Sequence, residues 1–116
     1  MKGVEYLEQA VNEIGAGVEL RIVSNAHDEE KERVWAWCDV LCLPTLSENF
    51  GLVIAEALAR NKRVVTTDGA PAWADARDER LVYLNGYRAG DAATRVKLLK
   101  KALVDCRLSF GRGRER

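Results

Sequence analysis

The chain has 116 residues, 47% of them hydrophobic, with 18 basic and 18 acidic side chains and a formal net charge of zero. That length holds one domain with a core of its own. The balanced charge supplies no electrostatic drive toward nucleic acid or an acidic membrane surface, no apolar run reaches membrane-spanning length, and the N-terminus has no signal-peptide apolar segment, so a cytosolic protein is expected.

Val4, Leu7, Val11 and Ile14 recur at three- and four-residue steps and predict an amphipathic helix stopped by Gly15-Ala16-Gly17. Val18, Leu20 and Ile22 then alternate with Glu19 and Arg21, the pattern of a strand with one wet face near a sheet edge. Asn25 or Asp28 can cap the next helix, which runs to about Cys38 with Val34, Trp35 and Cys38 on its buried side. Glu29 and Arg33 stand four apart on it.

Val40 to Leu43 is continuously apolar, as a parallel strand covered on both faces should be, and Pro44 stops it. A helix is predicted from Phe50 or Gly51 to Arg60, with Asn61 as C-cap. Arg63 to Thr67 is β-branched and reads as a strand, Asp68-Gly69-Ala70-Pro71 as a turn, and Leu81 to Leu84 as a last short strand. Val96, Leu99, Leu103 and Cys106 mark a final amphipathic helix. The domain is expected over residues 1–108, with 109–116, rich in Arg and Gly, as a basic flexible tail.

Strands alternating with helices predict an α/β fold: a Rossmann-like three-layer αβα arrangement around a mostly parallel sheet of about four strands. Such sheets bind ligands at the carboxyl ends of their strands. The segment Thr45 to Leu58 falls there, across a strand-to-helix turn. It sets two carboxylates, Glu48 and Glu56, with seven residues between them, Asn49-Phe50-Gly51 first. Backbone N–H groups of Asn49, Phe50, Gly51 and Leu52 at a helix start suit a phosphate or a sugar hydroxyl, and Gly51 permits close approach. Glu48 can accept hydrogen bonds from sugar hydroxyls, and Glu56, farther along the helix, can reach a vicinal diol such as a ribose. Read without a ligand, Glu48 complements the helix dipole and Glu56 is a solvated surface residue.

The whole string resembles the E-x7-E segment of the retaining GT-B glycosyltransferases, family 4 (glycosyltransferases group 1). Their pattern is a strand ending in Pro, then E-x-F-G-x-x-x-x-E-A-L-A, then a P-V-V-x-T strand. Here it stands as Asp39-Val40 to Pro44, Glu48-Asn49-Phe50-Gly51 to Glu56-Ala57-Leu58-Ala59, and Arg63-Val64-Val65-Thr66-Thr67. Lys2-Gly3-Val4-Glu5-Tyr6-Leu7 is similar to the family's K-G-V-x-x-L helix start. The resemblance implies donor-sugar contacts from Glu48, Asn49, Phe50 and Gly51, ribose binding by Glu56, and pyrophosphate binding by Lys2. The implied ligand is a nucleotide sugar or nucleoside diphosphate, with no metal or other cofactor.

The sequence also departs from that pattern. It corresponds to the C-terminal, donor-binding domain alone, so a separate N-terminal acceptor-binding half is the expected partner for glycosyl transfer, and the chain by itself is expected to be inactive. The family's first strand and its arginine have no counterpart before Lys2, and Asp68-Gly69-Ala70-Pro71-Ala72-Trp73 replaces a Gly-Gly-x-Pro-Glu segment. A missing central strand leaves ladder groups unpaired, which predicts a homo-oligomer or a partner chain. The alternative is a non-catalytic remnant acting as an interaction or self-associating module.

Other residues have plainer readings. His27, the only histidine, reads as solvated in a polar loop. Trp35, Trp37 and Trp73 could stack on a sugar or base, but packing explains them better. Cys38, Cys42 and Cys106 read as buried free thiols compatible with a reducing compartment. Asp68 sits at the ligand edge or simply forms its turn, and Lys97, Lys100 and Lys101 form a solvated helix face.

Overall fold

The structure, a computed structural model, describes residues 3–23, 28–47 and 51–114, with side chains described as far as Cys106. The elements are α1 (Val4–Ile14), α2 (Asp28–Trp37), β1 (Val40–Cys42), α3 (Leu52–Ala59), β2 (Arg63–Thr67), a 3-10 turn (Pro71–Trp73), β3 (Leu81–Leu84) and α4 (Ala92–Arg114). The sheet order is β1-β2-β3, and both pairings are parallel. Leu41 lies opposite Val64, and Val65 opposite Val82.

Alternation along the strands divides the core into two layers. Val65, Val82, Leu84, Val40 and Cys42 face α1 and α4, meeting Leu7, Ala10, Val96, Leu99 and Ala102. Val64, Leu41, Leu43 and Leu81 face α2 and α3, meeting Trp35, Cys38, Ile54 and Ala57. β2 is the central strand, and its last four residues are buried. Its position explains its composition, since apolar and β-branched residues suit a strand covered on both faces. The α/β, Rossmann-like class follows, with helices on both sides of a parallel sheet.

Two boundaries carry their predicted chemistry. α3 starts after Gly51 and ends at Arg60, and Asn61 follows with φ 59°, the left-handed conformation expected of a helix stop. Arg80 reinforces that end: its Nη1 donates to the Leu58 carbonyl and to Asn61 Oδ1, both at 2.9 Å. Asp78 holds the same guanidinium through Nε (3.0 Å) and Nη2 (2.7 Å).

One predicted strand is absent. Residues 18–23 join no ladder, so among the described residues the sheet has three strands rather than about four. The alternation there does register one-sided burial, because Leu20 packs on the α1–α4 layer. Ile22 and Val23 are exposed, and Arg21 lies over the Trp37 ring at 4.3 Å from its centroid. Alternation reports which residues face an apolar layer, whereas a strand also needs a neighbouring backbone to receive its N–H and C=O groups. None is supplied to this segment among the described residues. At the other end, α4 continues through Arg114, so its backbone helix extends into the segment expected as tail.

Candidate functional site at the carboxyl edge of the sheet

Three connections and two helix starts gather where the strands end. β1 runs into Leu43–Ser47, β2 into Asp68–Ala70 and β3 into Asn85–Arg88. The first two are tied together by a buried threonine pair. The Thr67 hydroxyl donates to the Thr45 carbonyl and accepts from Gly69 N–H at 3.0 Å, while Ser47 N–H donates to Thr45 Oγ1 at 3.1 Å. Thr66 adds a hydroxyl bond to the Leu43 carbonyl at 3.2 Å. These bonds satisfy polar groups that burial would otherwise penalise. They also fix the path of the chain through Thr45–Ser47.

The third connection is tied to the second by Asp68. Its carboxylate accepts from Gly86 N–H at 3.0 Å and from Arg88 N–H at 2.7 Å. Asp68 therefore organises the two loops rather than simply forming its own turn. Arg95, in the first turn of α4, completes this edge. It donates from Nε to the Tyr87 carbonyl (3.0 Å), from Nη2 to the Arg88 carbonyl (2.6 Å) and from Nη1 to the Tyr6 hydroxyl of α1 (3.0 Å). Tyr6 and Tyr87 meet edge to face, with centroids 6.4 Å apart. The Tyr87 hydroxyl is buried without a hydrogen-bond partner among the described residues, and burial pushes its phenol up, with Cys42 adding to the effect.

The starts of α1 and α3 both reach this edge. Gly3 precedes α1 with φ 99° and lies so close to the Pro44 carbonyl that a side chain would collide with it. Gly51 precedes α3 with φ 58°, and no side chain caps that helix start. Both backbones adopt the left-handed conformation that glycine tolerates best. Each helix brings a partial positive charge to its first turn, so two such ends lie near the end of β1.

Of the residues predicted to bind a donor, Gly51 and Glu56 are among those described. Lys2, Glu48, Asn49 and Phe50 lie outside them, as does His27. Gly51 is buried, and the indole of Trp73 stands over it. A Cβ at Gly51 would sit 2.8 Å from Trp73 Nε1 and 3.2 Å from its Cδ1. Sequence reasoning favoured packing for Trp73, and the indole does pack on the α2–α3 layer, but its position beside the α3 start places it at the site as well.

Glu56 projects from the second turn of α3 toward α2. Its Oε2 lies 2.7 Å from Lys31 Nζ and 3.9 Å from Arg60 Nη1. Arg60 continues the network to Glu32 at 2.8 Å and stacks over the Trp35 ring. Glu56 is thus ion-paired rather than simply solvated. Lys31 carries no motif that could have signalled this role, because the pair joins separate helices and only packing reveals it.

The remaining polar candidates are structural. Lys100 pairs with Glu13 at 3.7 Å, while Lys97 and Lys101 are exposed as expected. The three cysteines are free thiols. Burial pushes all three up, Cys42 to about 12, so none is a thiolate at neutral pH. Among the described residues no cluster of three or more His, Cys, Asp or Glu could hold a metal ion, and no helix is long and apolar enough to cross a membrane.

A three-layer α/β arrangement around a parallel sheet, with two helix starts lacking side-chain caps at its carboxyl edge, defines a Rossmann-like domain. Comparison with known families is more specific: residues 2–101 match the family described as glycosyl transferases group 1, and the chain belongs to that family. No curated protein and no solved structure matched the chain.

Proposed function

We propose that this glycosyltransferase-like domain binds the nucleoside diphosphate portion of a nucleotide sugar, as the donor-binding half of a retaining GT-B glycosyltransferase. The family match over residues 2–101 carries the reading, because it spans the Glu48–Glu56 segment together with Lys2. Glu56 binds the ribose hydroxyls. Glu48, Asn49, Phe50 and Gly51 contact the donor sugar or its diphosphate. Lys2, next to the α1 start, stabilises the pyrophosphate as charge builds on the leaving nucleoside diphosphate. No metal is required by this assignment. Transfer to an acceptor takes place with a separate acceptor-binding domain, since both substrates must be held in one cleft.

Calorimetric titration of the purified chain with UDP, GDP and ADP tests the reading. Binding of one of them, weakened by Glu56→Ala, is the expected result. No heat of binding across all three overturns it.

A second reading, a self-associating interaction module, is favoured by the edge of β1. Among the described residues β1 pairs only with β2, and Val40, Leu41 and Cys42 are each only partly buried despite their apolar character. An open parallel edge accepts another strand. This reading expects concentration-dependent association in sedimentation and no nucleotide affinity. A clean monomer at high concentration rejects it.

A further inference from the structure

We propose that Lys31 of α2 is a positioning residue that pins one oxygen of Glu56 so that the other faces the vicinal diol of a ribose, an inference that rests on the donor-binding reading. Both cations near Glu56 engage the same atom: Lys31 Nζ at 2.7 Å and Arg60 Nη1 at 3.9 Å from Oε2. Oε1 has no partner among the described residues. A carboxylate held in this way keeps an acceptor oxygen free while its side-chain rotation is restricted.

The topology sets the pair near the ligand edge. α2 ends just before β1 begins, so its first turn, which carries Lys31, lies toward the carboxyl end of that strand. α3 starts from the same end and carries Glu56 in its second turn. Arg60 is anchored separately by Glu32 at 2.8 Å, which leaves Lys31 as the close contact governing the carboxylate.

The pair's exposure argues against a mainly stabilising purpose. The two side chains are 42% and 33% exposed, and ion pairs so open to solvent add little to folding. Fixing a flexible glutamate before the ligand arrives is worth more in binding, because its rotamer entropy is then lost in the free protein rather than on association. Lys31 also neutralises part of the carboxylate's repulsion toward a nearby diphosphate.

The test compares Lys31→Gln, Lys31→Arg and Glu56→Gln with the unmodified 116-residue chain. Each is titrated with UDP, GDP and ADP and with their 2′,3′-dideoxy forms, and each is melted to check folding. The unmodified chain should prefer the ribose form of its best ligand by roughly tenfold, the worth of hydrogen bonds to a charged group. Lys31→Gln should lower that preference to about twofold or less, close to Glu56→Gln, with a melting temperature within about 2 °C of the parent, as an exposed pair allows. Lys31→Arg should restore most of it. An unchanged preference in Lys31→Gln, or tighter ribose binding that marks Lys31 as a competitor for Glu56, overturns the positioning role and leaves donor binding standing. Binding without any ribose preference in the unmodified chain overturns the roles of both residues. Absence of binding to all six nucleotides overturns the donor-binding reading, and the role of Lys31 with it.

Discussion

Gly51 and Trp73 interlock at the start of α3: the indole edge occupies the space a Gly51 side chain would need, 2.8 Å from Nε1 to the site of a Cβ. The glycine is constrained twice, by its φ of 58° and by this contact. Gly51→Ala should therefore destabilise the fold by about 2–4 kcal/mol, combining left-handed strain with the overlap. Trp73→Ala in the same chain should relieve the steric part, so the double variant should be more stable than the summed singles by about 1 kcal/mol. Denaturant unfolding of the four proteins measures the coupling. Strict additivity would show that the indole does not constrain Gly51.

The Thr67 hydroxyl donates to Thr45 and accepts from Gly69 within a fully buried loop junction. Thr67→Val preserves the shape and removes both bonds. It should cost about 1–3 kcal/mol, because the Thr45 carbonyl and the Gly69 N–H stay buried without that partner. Thr67→Ser, which keeps the hydroxyl, should cost less. Chemical denaturation distinguishes the two variants, and a Thr67→Val variant as stable as the parent would show that the two hydroxyl bonds contribute nothing net.

Arg95 joins α1, α4 and the loop after β3 through three separate acceptors. Arg95→Met should lower stability by about 2–3 kcal/mol, given that hydrogen bonds from charged groups are worth more than neutral ones. Arg95→Lys should recover little, since a single ammonium cannot reproduce the planar fork. Amide exchange around Tyr87 and Arg88 should accelerate in both variants. Parent-like protection in the lysine variant would reduce the role of Arg95 to charge alone.

The acid limb of stability should depend on Asp78. The Arg80 side chain and N–H beside it hold its carboxyl at about 2, below the ordinary 3.8. A depressed folded-state value means that the unfolded chain takes up a proton first as pH falls. The contribution of Asp78 is therefore present above pH 3.8 and lost progressively toward pH 2. Asp78→Asn should flatten stability against pH across that window, leaving a residual slope from Asp91, whose value is lowered by the Thr94 N–H it caps. Unfolding midpoints measured between pH 5 and 2 test this. An unchanged slope would show that the Asp78–Arg80 contact does not persist in solution.

Much of the architecture was legible because local chemistry and tertiary structure agree. The Arg63–Thr67 and Leu81–Leu84 strands, the α3 stop at Asn61 and the spacing of Val96, Leu99 and Cys106 are all short-range signals that the fold uses. Residues 18–23 carry an equally clear alternation without becoming a strand, since pairing depends on a neighbour that no residue within the segment can specify. At the candidate site, the sequence pointed to Gly51 and Glu56 but not to what touches them. Trp73 reaches Gly51 from the turn after β2, and Lys31 reaches Glu56 from another helix.

By itself the sequence determined the α/β class, the family resemblance and the glycine-and-carboxylate pattern of the α3 segment, because periodicity, turn chemistry and motif spacing are properties of consecutive residues. Only the tertiary structure decided that the sheet has three strands, that an indole closes over Gly51, and that one oxygen of Glu56 is held by Lys31. Those outcomes depend on which surfaces meet when helices pack on opposite faces of the sheet. A pair such as Lys31 and Glu56 is brought together only by α2 and α3 packing on the same face of the sheet.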